Sequence, residues 1–303
     1  MKLLKKPRMM LVTAMTIFGT LGLFVRHIPL TSGEVALYRG VIASILMGII
    51  LLATKQRIPF KSMKKELPLL LISGGAMGFN WILLFEAYKY TTISVATLSY
   101  YFAPVIVTLA CPILFREKMG AKQWICFVMS TVGIVLITGL GDLGGGGSHF
   151  LGILLGLGAA CLYATVVLLN KFIKNVEGLH RTFLQFIAAI LVLVPYVALT
   201  SGFDFSKMDG IGWGSLLTVG IIHSGVAYCL YFPSLKEIPG QKAAILSYID
   251  PLVAVVVSVA ILGENITLPQ IFGGALILGF TLWNESSANK KSPVRDRGLI
   301  VMP

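Results

Sequence analysis

Charged residues are scarce in this chain of 303 residues, where they make up only 13% of the positions. A soluble protein of this size needs charged side chains at about a quarter of its positions to cover its surface. The composition therefore argues against a soluble globular protein. The four cysteines all lie within apolar runs, not in the connecting loops where a disulfide would form, so we expect them to be packing residues.

The sequence also lacks the motifs of several enzyme classes. It contains no phosphate-binding Gly-Lys loop, no metal-spaced His/Cys cluster and no nucleophile elbow. The glycine run GDLGGGGSH has neither the lysine nor the strand-to-helix setting of a phosphate loop. We therefore expect no ATP-driven transport, no cofactor and no metal, and we interpret the chain as a non-enzyme. An integral-membrane enzyme acting on lipid is a remote alternative, because the polar residues are scattered singly and form no cluster at one interface.

Long apolar runs are what the chain does have. Hydrophobic residues make up 56% of it, and its mean hydropathy is +0.86. At about 20 residues for each membrane crossing, the hydropathy pattern predicts ten transmembrane helices. We place them at 9–27, 33–53, 67–87, 93–115, 122–140, 150–170, 181–200, 211–232, 241–262 and 267–285.

Basic residues fall mostly in every second loop between the apolar runs. An excess of Lys and Arg marks the cytoplasmic loops of a membrane protein, so we expect both termini in the cytoplasm and the chain in the cell (plasma or inner) membrane. The net charge of +12 is thereby explained by orientation, and no nucleic-acid partner is predicted. The expected partners are the lipid bilayer and a small-molecule substrate; proton coupling and a homodimer stay open. The basic residues predicted to be cytoplasmic are Lys2, Lys5, Lys6, Arg8, Lys55, Arg57, Lys61, Lys64, Lys65, Arg116, Lys118, Lys122, Lys171, Lys174, Arg181, Lys236, Lys242, Lys290, Lys291, Arg295 and Arg297.

The second half of the sequence repeats the first. Aligning Pro104 with Pro251, an offset of 147 residues, also places Tyr101 on Tyr248. Five spans in each half make the second half enter the membrane from the opposite side. The loops agree, because LFREKMGAK after the fourth span is basic whereas ILGENITLPQ after the ninth has no Lys or Arg.

The predicted fold class is therefore an all-α integral membrane protein, with ten transmembrane helices arranged as two inverted five-helix repeats. The first repeat covers 1–142 and the second 149–285, joined by a Gly-rich linker at 143–148 and followed by a cytoplasmic tail at 286–303. Internal repeats of this kind in a membrane protein indicate a transporter.

Two matching pieces carry a family resemblance: YYFAPVIVTLACPILFREKMGAKQWICFVMSTVGIVLI and SYIDPLVAVVVSVAILGENITLPQIFGGALILG. Each has a proline-containing helix, an Arg-Glu or Gly-Glu turn and a glycine-containing last helix. In this the chain resembles a ten-helix, EamA-type member of the drug/metabolite transporter superfamily, over roughly residues 9–285. The resemblance implies a secondary transporter, usually an exporter of small metabolites, amino acids or xenobiotics, with its pocket between the halves. The first span has no acid like the glutamate that the small multidrug-resistance relatives use for proton antiport, so proton coupling would need another group.

Ionisable side chains within predicted spans are the first candidates for the site, because a charge in hydrocarbon is costly without a partner, water or a function. Asp250 precedes Pro251 near the midplane and could hold a substrate ammonium or a proton, or only a structural partner. Arg39 could clamp a substrate carboxylate or snorkel to the outer headgroups. His223 could relay protons or bind substrate, or be a packing residue.

Aromatic and neutral polar side chains complete the expected pocket. We expect the substrate-binding or coupling residues to include Asn80, Trp81, Tyr101, Tyr228 and Tyr248, because Tyr and Trp offer a ring face together with a donor.

Prolines and acids at helix ends are expected to shape and gate this pocket. Pro104 and Pro251 are predicted kinks. Glu86 could gate the outer mouth with Arg39 or with Lys89, or could form only an interfacial ion pair. Glu34 is expected to cap a helix start, and Glu117 and Glu264 are expected to stabilise the turns into the last helix of each half.

Taken together, these residues predict a secondary active transporter, and specifically an exporter, that works by alternating access. A zwitterion such as an amino acid would satisfy an acid, an arginine and an aromatic wall at once. The alternative substrates are lipophilic cations and xenobiotics, which would use Asp250 and the aromatic side chains but not Arg39. A passive channel is disfavoured, because no helix carries a ring of like residues.

Overall fold

The computed structural model of the protein describes residues 6–55, 64–115, 120–138, 147–176, 178–238, 243 and 246–288. Helix is the dominant structure in these ranges, and they contain no strand. Three of the predicted features lie wholly or mostly outside the described residues: the linker at 143–148, the tail at 286–303 and the residue Glu117. The all-helical part of the predicted fold class is therefore confirmed.

The helices follow one another with short connections. Several predicted spans are built from two shorter segments, and one contains a π-helical turn. In chain order the segments are α1 Pro7–Gly19, α2 Leu21–Val25, α3 Ser32–Ala53, α4 Leu67–Tyr90, α5 Ile93–Tyr100, α6 Ala103–Phe115, α7 Ala121–Thr138, α8 Gly147–Asn170, α9 Gly178–Thr200, α10 Gly210–Leu217, the π segment Thr218–Val226, α11 Ala227–Glu237, α12 Ile249–Ala260 and α13 Leu268–Ala288.

Seven helical runs in the described part of the chain are long and apolar enough to cross a membrane. They correspond to the predicted spans one to four and six to eight, so a multi-pass membrane protein is confirmed. The predicted fifth, ninth and tenth spans fall on α7, α12 and α13, and their membrane crossing stays a prediction. The seven runs are Pro7–Val25, Ser32–Ala53, Leu67–Tyr90, Ile93–Ala110, Gly147–Asn170, Gly178–Thr200 and Gly210–Ser234.

Local sequence explains where these helices begin. At α3, the Thr31 side chain accepts from the Glu34 N–H while Glu34 accepts from the Thr31 N–H at 3.0 Å, which is a complete capping box. This agrees with the expected capping role of Glu34. At α5, the Thr92 hydroxyl accepts from the Val95 N–H at 3.2 Å. A proline in the first turn, where no N–H is needed, begins α1 and α4.

Four spans are interrupted within their apolar length. The first span breaks at Thr20, between α1 and α2, and the fourth breaks at 101–102, between α5 and α6. The ninth has a turn at Tyr248, just before α12. The eighth widens into the π segment. Pro104 and Pro251 lie in the first turn after their breaks, where a missing N–H is tolerated.

Helices of the two halves pack against each other throughout. The helix α4 lies against α8 and α9, α3 against α9 and the π segment, α1 against α11 and α12, and α5 against α8 and α12. The helices α7 and α13 form a separate pair. Most of the core therefore lies between the halves.

Two of these pairs are antiparallel. In the α7–α13 pair, Lys122 lies over the Trp283 ring at 4.7 Å near one end, whereas a Cβ on Gly133 would lie 2.6 Å from the Gly273 carbonyl oxygen. In the α3–α9 pair, close approaches run from Gly33 with Tyr196 to Gly48 with Phe183. In both pairs, residue numbers increase along one helix while the numbers of the residues that they contact on the other helix decrease.

The approach of α7 to α13 generates a stability prediction. Because each glycine there faces a backbone carbonyl, we expect Gly273→Ala to force the helices apart and to cost about 1–3 kcal/mol, the usual range for overpacking. The change should appear as a lower apparent unfolding temperature of the purified protein in detergent. Gly279→Ala on the same helix is the matched control, because a Cβ there has nothing within 4 Å; equal melting of the two variants would contradict the prediction.

Candidate functional site

A cavity lies inside the helix bundle and brings together six of the residues selected from the sequence. It is small, with a volume of about 50 Å³, which is room for a few water molecules. Four spans of the first half and two of the second contribute to its wall. The predicted residues that line it are Arg39, Asn80, Trp81, Tyr101, Tyr228 and Asp250.

Asp250 is held at the break in the ninth span. Its side chain lies in the first turn of α12, is only 7% exposed, and accepts a hydrogen bond from the Tyr101 hydroxyl at 2.6 Å. Tyr101 itself stands at the break in the fourth span. The two interrupted spans therefore meet through a carboxylate and a phenol, and one carboxylate oxygen keeps acceptor capacity for another donor.

The first span approaches this carboxylate closely because it carries a glycine. A Cβ on Gly19 would lie 2.5 Å from the backbone oxygen of Asp250 and 2.6 Å from the Cβ of Val253. Only a residue without a side chain allows this approach. Gly19 thus sets the width of the cavity on the side of the first span.

Arg39 supplies the positive charge of the cavity. Its Nε donates to the Ser224 hydroxyl at 2.6 Å, and its guanidinium stands over the rings of Trp81 at 4.9 Å and Phe85 at 5.6 Å. The residue is 4% exposed, which does not fit the alternative that it snorkels to the headgroups. No carboxylate of the described residues lies within 4.0 Å of its nitrogens. Its charge is therefore stabilised by aromatic faces and a hydroxyl, without an ion pair.

Asn80 and the aromatic side chains form a connected wall. The Asn80 side-chain amide donates to the Ala159 carbonyl at 2.6 Å, so it ties α4 to α8 as well as facing the cavity. Trp81 packs edge-on against Phe186 with 4.8 Å between ring centroids. Tyr228 stacks on Phe232 at 5.6 Å with an interplanar angle of 15°. These contacts hold the rings in fixed orientations.

Several side chains that line the cavity were not among the site residues predicted from the sequence, and three of them are Phe18, Tyr88 and Thr97. Phe18 and Tyr88 are single aromatic residues in otherwise ordinary apolar runs, and Thr97 is a common residue in membrane helices. Their positions carry no repeat partner or unusual chemistry, so only the packing of the helices identifies them.

His223 and Tyr248 are not among the side chains that line the cavity. The His223 ring lies behind the first span, with its Nε2 3.0 Å from the Thr20 hydroxyl and its Nδ1 3.2 Å from the Thr218 carbonyl oxygen. Tyr248 stands at the break before α12, with its ring centroid 6.4 Å from that of Tyr101. Their roles in binding or coupling stay predictions.

Glu86 is separate from the cavity. It accepts from the Ser32 hydroxyl at 2.5 Å and pairs with Lys89 at 3.0 Å, in a partly exposed position. Of the two partners considered for it, the structure pairs it with Lys89 and not with Arg39. A gating function for Glu86 is not tested by this contact.

Glu264 has a different partner from the one expected. It was expected to stabilise the turn into the last helix, but it accepts from the Ile93 N–H at 2.9 Å, at the start of α5 in the other half. It also contacts the Ser258 hydroxyl and forms an ion pair with Arg26. The chain reverses at Gly263, whose φ of +65° favours glycine, and this turn carries the carboxylate towards the unsatisfied N–H groups of α5.

Arg26 extends the same contact to a third segment. Its terminal nitrogen donates to the carbonyl oxygens of Tyr88 at 3.1 Å and Thr91 at 2.8 Å. We call Arg26, Glu264 and the segment 88–93 the outer cluster, because these residues lie at the ends predicted to face outside. Tyr88 also lines the cavity, so the outer cluster lies directly beside it.

Comparison with known proteins gives a family match over nearly the whole chain. The model of the EamA-like transporter family matches twice, at residues 6–139 and at 150–284. A transporter of Bacillus subtilis, uncharacterized transporter YxxF, is 32% identical over 273 residues, which is 88% of this chain and 85% of that protein. An uncharacterized transporter of Archaeoglobus fulgidus is 28% identical over 70% of this chain and 76% of its own length.

One solved crystal structure has a similar fold. It superposes with a TM-score of 0.64 over 94% of this chain and 99% of its own, at 16% sequence identity. At this identity the likeness concerns the fold alone.

The contact between Arg39 and Ser224 can be tested by a double-mutant cycle. Ser224→Ala leaves the buried Arg39 Nε without its acceptor, and we expect it to destabilise the protein by about 1–3 kcal/mol. In Arg39→Met the Ser224 hydroxyl is still hydrogen-bonded, because it donates to the Val219 carbonyl oxygen. Adding Ser224→Ala to Arg39→Met should therefore cost much less than adding it to the native protein. Additive losses in denaturation experiments would contradict the contact.

Proposed function

The chain belongs to the EamA-like transporter family, and we propose that it is a secondary active transporter that exports small organic metabolites by alternating access. Amino acids and related amphipathic solutes are the substrate class that we favour. The observation that carries this proposal is the cavity itself, whose wall includes a buried guanidinium, a buried carboxylate and aromatic rings.

The two charged groups suit a zwitterion. Arg39 has no carboxylate partner among the described residues, and a guanidinium binds a carboxylate with two parallel hydrogen bonds. Asp250 has one described donor, Tyr101, and can accept from a substrate ammonium. The rings of Trp81 and Tyr228 would contact the apolar part of the solute. A substrate with both charges would therefore satisfy groups that are otherwise costly to bury.

The small volume of the cavity supports alternating access. A space of about 50 Å³ is small beside an amino acid. Substrate would therefore enter a more open form, and the present arrangement would be a closed one. Alternating access needs such a form between its two open states.

An inverted repeat would provide the conformational change that alternating access needs. The helix pairs α3–α9 and α7–α13, each made of corresponding helices of the two halves, run antiparallel. The contacts are also mirrored: α4 with α8 corresponds to α11 with α1, and α4 with α9 corresponds to the π segment with α3. These features support ten helices in two inverted repeats, at 1–142 and 149–285, with the linker at 143–148 and the tail at 286–303. The basic residues in alternate loops support cytoplasmic termini and a location in the cell membrane.

Lipophilic cations are the second candidate class. Asp250 and the aromatic wall are enough to bind a cation, because carboxylates and ring faces both attract positive charge. Such a substrate would leave Arg39 unused and would be repelled by it. We therefore place cations after zwitterions.

The proposed function predicts the outcome of counterflow in proteoliposomes. With a panel of labelled amino acids, we expect saturable exchange that falls by at least about tenfold in Asp250→Asn and in Arg39→Lys, because each removes a charge or the planar fork that binds the solute. Asp204→Asn, in an exposed loop away from the cavity, is the control. Exchange of labelled ethidium that survives Arg39→Ala, without amino-acid exchange, would support the cation class instead. Absence of all exchange would overturn the transporter proposal.

We expect the ion pair of the outer cluster to limit access to the cavity from outside the membrane. Glu264→Gln keeps an acceptor for the Ile93 N–H but removes the ion pair with Arg26, so we expect the outer end of the cavity to open more often. A cysteine at Thr97, in a protein without its four native cysteines, should then react on the order of fivefold faster with a membrane-impermeant thiol reagent from outside.

Asp204→Asn is the control for this experiment, because it removes a carboxylate from an exposed loop. It should leave the labelling rate unchanged. Equal rates for Glu264→Gln and Asp204→Asn would show that the outer cluster does not close the cavity.

A further inference from the structure

We propose that His223 is the proton-binding site of the transport cycle and that it acts on the cavity through the hydroxyl of Thr20. The inference rests on the proposed function, because it assigns a coupling ion to the same cavity. It is argued from hydrogen-bond geometry at the place where two interrupted spans meet.

His223 and Thr20 join two irregular points of the backbone. His223 lies in the π segment and is 1% exposed, and Thr20 is the residue at which α1 ends and α2 begins. The neighbours of Thr20 on both sides, Gly19, Leu21 and Gly22, line the cavity. A change in the bonding of Thr20 therefore acts directly on one wall of the cavity.

The hydrogen bonds around the His223 ring depend on its protonation. The Nδ1 lies 3.2 Å from the Thr218 carbonyl oxygen, which can only accept, so Nδ1 carries a hydrogen. The Thr20 Oγ1 lies 3.0 Å from Nε2 and 2.7 Å from the Ile17 carbonyl oxygen. A hydroxyl has one hydrogen to donate, and two groups compete for it.

Protonation decides this competition. In the neutral ring, Nε2 is bare and can only accept, so a bond from Thr20 to the ring leaves the Ile17 carbonyl without the hydroxyl. In the protonated ring, Nε2 donates to the Thr20 oxygen, and the Thr20 hydrogen goes to the Ile17 carbonyl. All three contacts are hydrogen bonds at once only when the ring is protonated. Proton binding therefore redirects the Thr20 hydrogen from the His223 ring to the Ile17 carbonyl oxygen of its own helix, while the ring becomes the donor to the Thr20 oxygen.

The π segment makes this arrangement geometrically accessible. His223 and the next residue, Ser224, each contact a backbone carbonyl five residues earlier, at Thr218 and Val219. Ser224 in turn accepts from Arg39. The wide helical turn thus places the proton site, His223, next to Ser224, which binds the Arg39 guanidinium. Turns of this π type are frequent at functional sites.

The charged groups around His223 are few. From α3 the only one is Arg39, a like charge for the protonated ring, and from α11 the nearest titratable group is Tyr228. The short helix α2 contributes the Phe24 ring at 5.2 Å, with Arg26 beyond its end, and α10 contributes no titratable side chain. Because a substrate carboxylate would neutralise Arg39, substrate and proton occupancy are linked, and the linkage is reciprocal.

The test measures access to the cavity as pH changes and needs no substrate. The full chain, without its native cysteines and with Thr97→Cys as reporter, is labelled in proteoliposomes with a charged methanethiosulfonate in mildly alkaline and mildly acidic buffer. Rates are divided by those of Lys207→Cys, an exposed loop position, to remove the pH dependence of the reagent. We expect the corrected rate to change by at least about fivefold, the low end of allosteric coupling.

Matched variants assign the effect to this hydrogen bond. His223→Gln, which keeps polar contacts but does not titrate, and Thr20→Val, which keeps the shape but lacks the hydroxyl, should both abolish the pH dependence. Thr20→Ser should retain it. A pH-independent parent protein, or pH dependence that persists in His223→Gln or in Thr20→Val, would overturn the proposal. If His223→Gln does not fold, the comparison of Thr20→Val with Thr20→Ser decides it.

Counterflow measured on the same preparations separates this inference from the proposed function. Labelling that depends on pH and on His223, in a protein that exchanges no amino acid or ethidium, would support the proton site and count against the substrate assignment. Normal exchange with pH-independent labelling would support the substrate assignment and overturn the proton site.

Discussion

In hydrocarbon, every backbone N–H and C=O must find its partner within the protein, so irregular backbone is tolerated only where protein or a water-filled cavity surrounds it. This constraint accounts for where the helices of this chain are interrupted. The breaks at Thr20, at 101–102 and at Tyr248 border one cavity, which is lined by residues in or beside each of them. The π segment Thr218–Val226 reaches the cavity through the bond of Ser224 to Arg39. Regular helix surrounds them. The cavity and the breaks therefore depend on each other. The breaks shape the cavity, and their enclosed position lets the irregular backbone find polar partners away from lipid.

Charge follows the same rule. Asp250 bonds to Tyr101, and Arg39 bonds to Ser224 and stacks on Trp81 and Phe85, so each buried charge is stabilised without meeting the other. Within the described residues no ion pair joins them. A direct pair would satisfy both groups and leave little reason for a charged solute to bind. Two separately stabilised charges in one small cavity keep binding capacity at the cost of some stability.

The outer cluster shows how the two halves depend on each other. Glu264 belongs to the second half, yet it caps α5 and pairs with Arg26 in the first. Sequence reasoning assigned this acid to a structural role at its own turn, because only neighbours along the chain were visible. A carboxylate can serve any N–H group that the fold brings within reach. The error was therefore in the partner, and only the folded arrangement could supply it.

Several parts of the site were visible before folding. Arg39, Asn80, Trp81, Tyr101, Tyr228 and Asp250 were selected because their chemistry is unusual in apolar runs or because they match across the repeat, and they line one cavity. Phe18, Tyr88 and Thr97 have no such mark. His223 was visible as a rare ionisable residue, but its position behind the first span was not. A rare ionisable residue in an apolar run can be recognised from the sequence. Its distance from the cavity depends on the rotation of its helix, which the sequence does not show.

The sequence by itself determined that this is a helical membrane protein of repeated halves, because hydropathy and alternating loop charge act along the chain and need no tertiary contact. It also determined which rare polar groups the membrane must accommodate. Only the tertiary structure decided that Arg39 has no ion pair with any of the described residues, that Glu264 caps a helix of the other half, and that His223 meets Thr20 at a helix break. These are contacts between residues distant in sequence, and they follow from how antiparallel helices pack and rotate against each other, which no local pattern encodes.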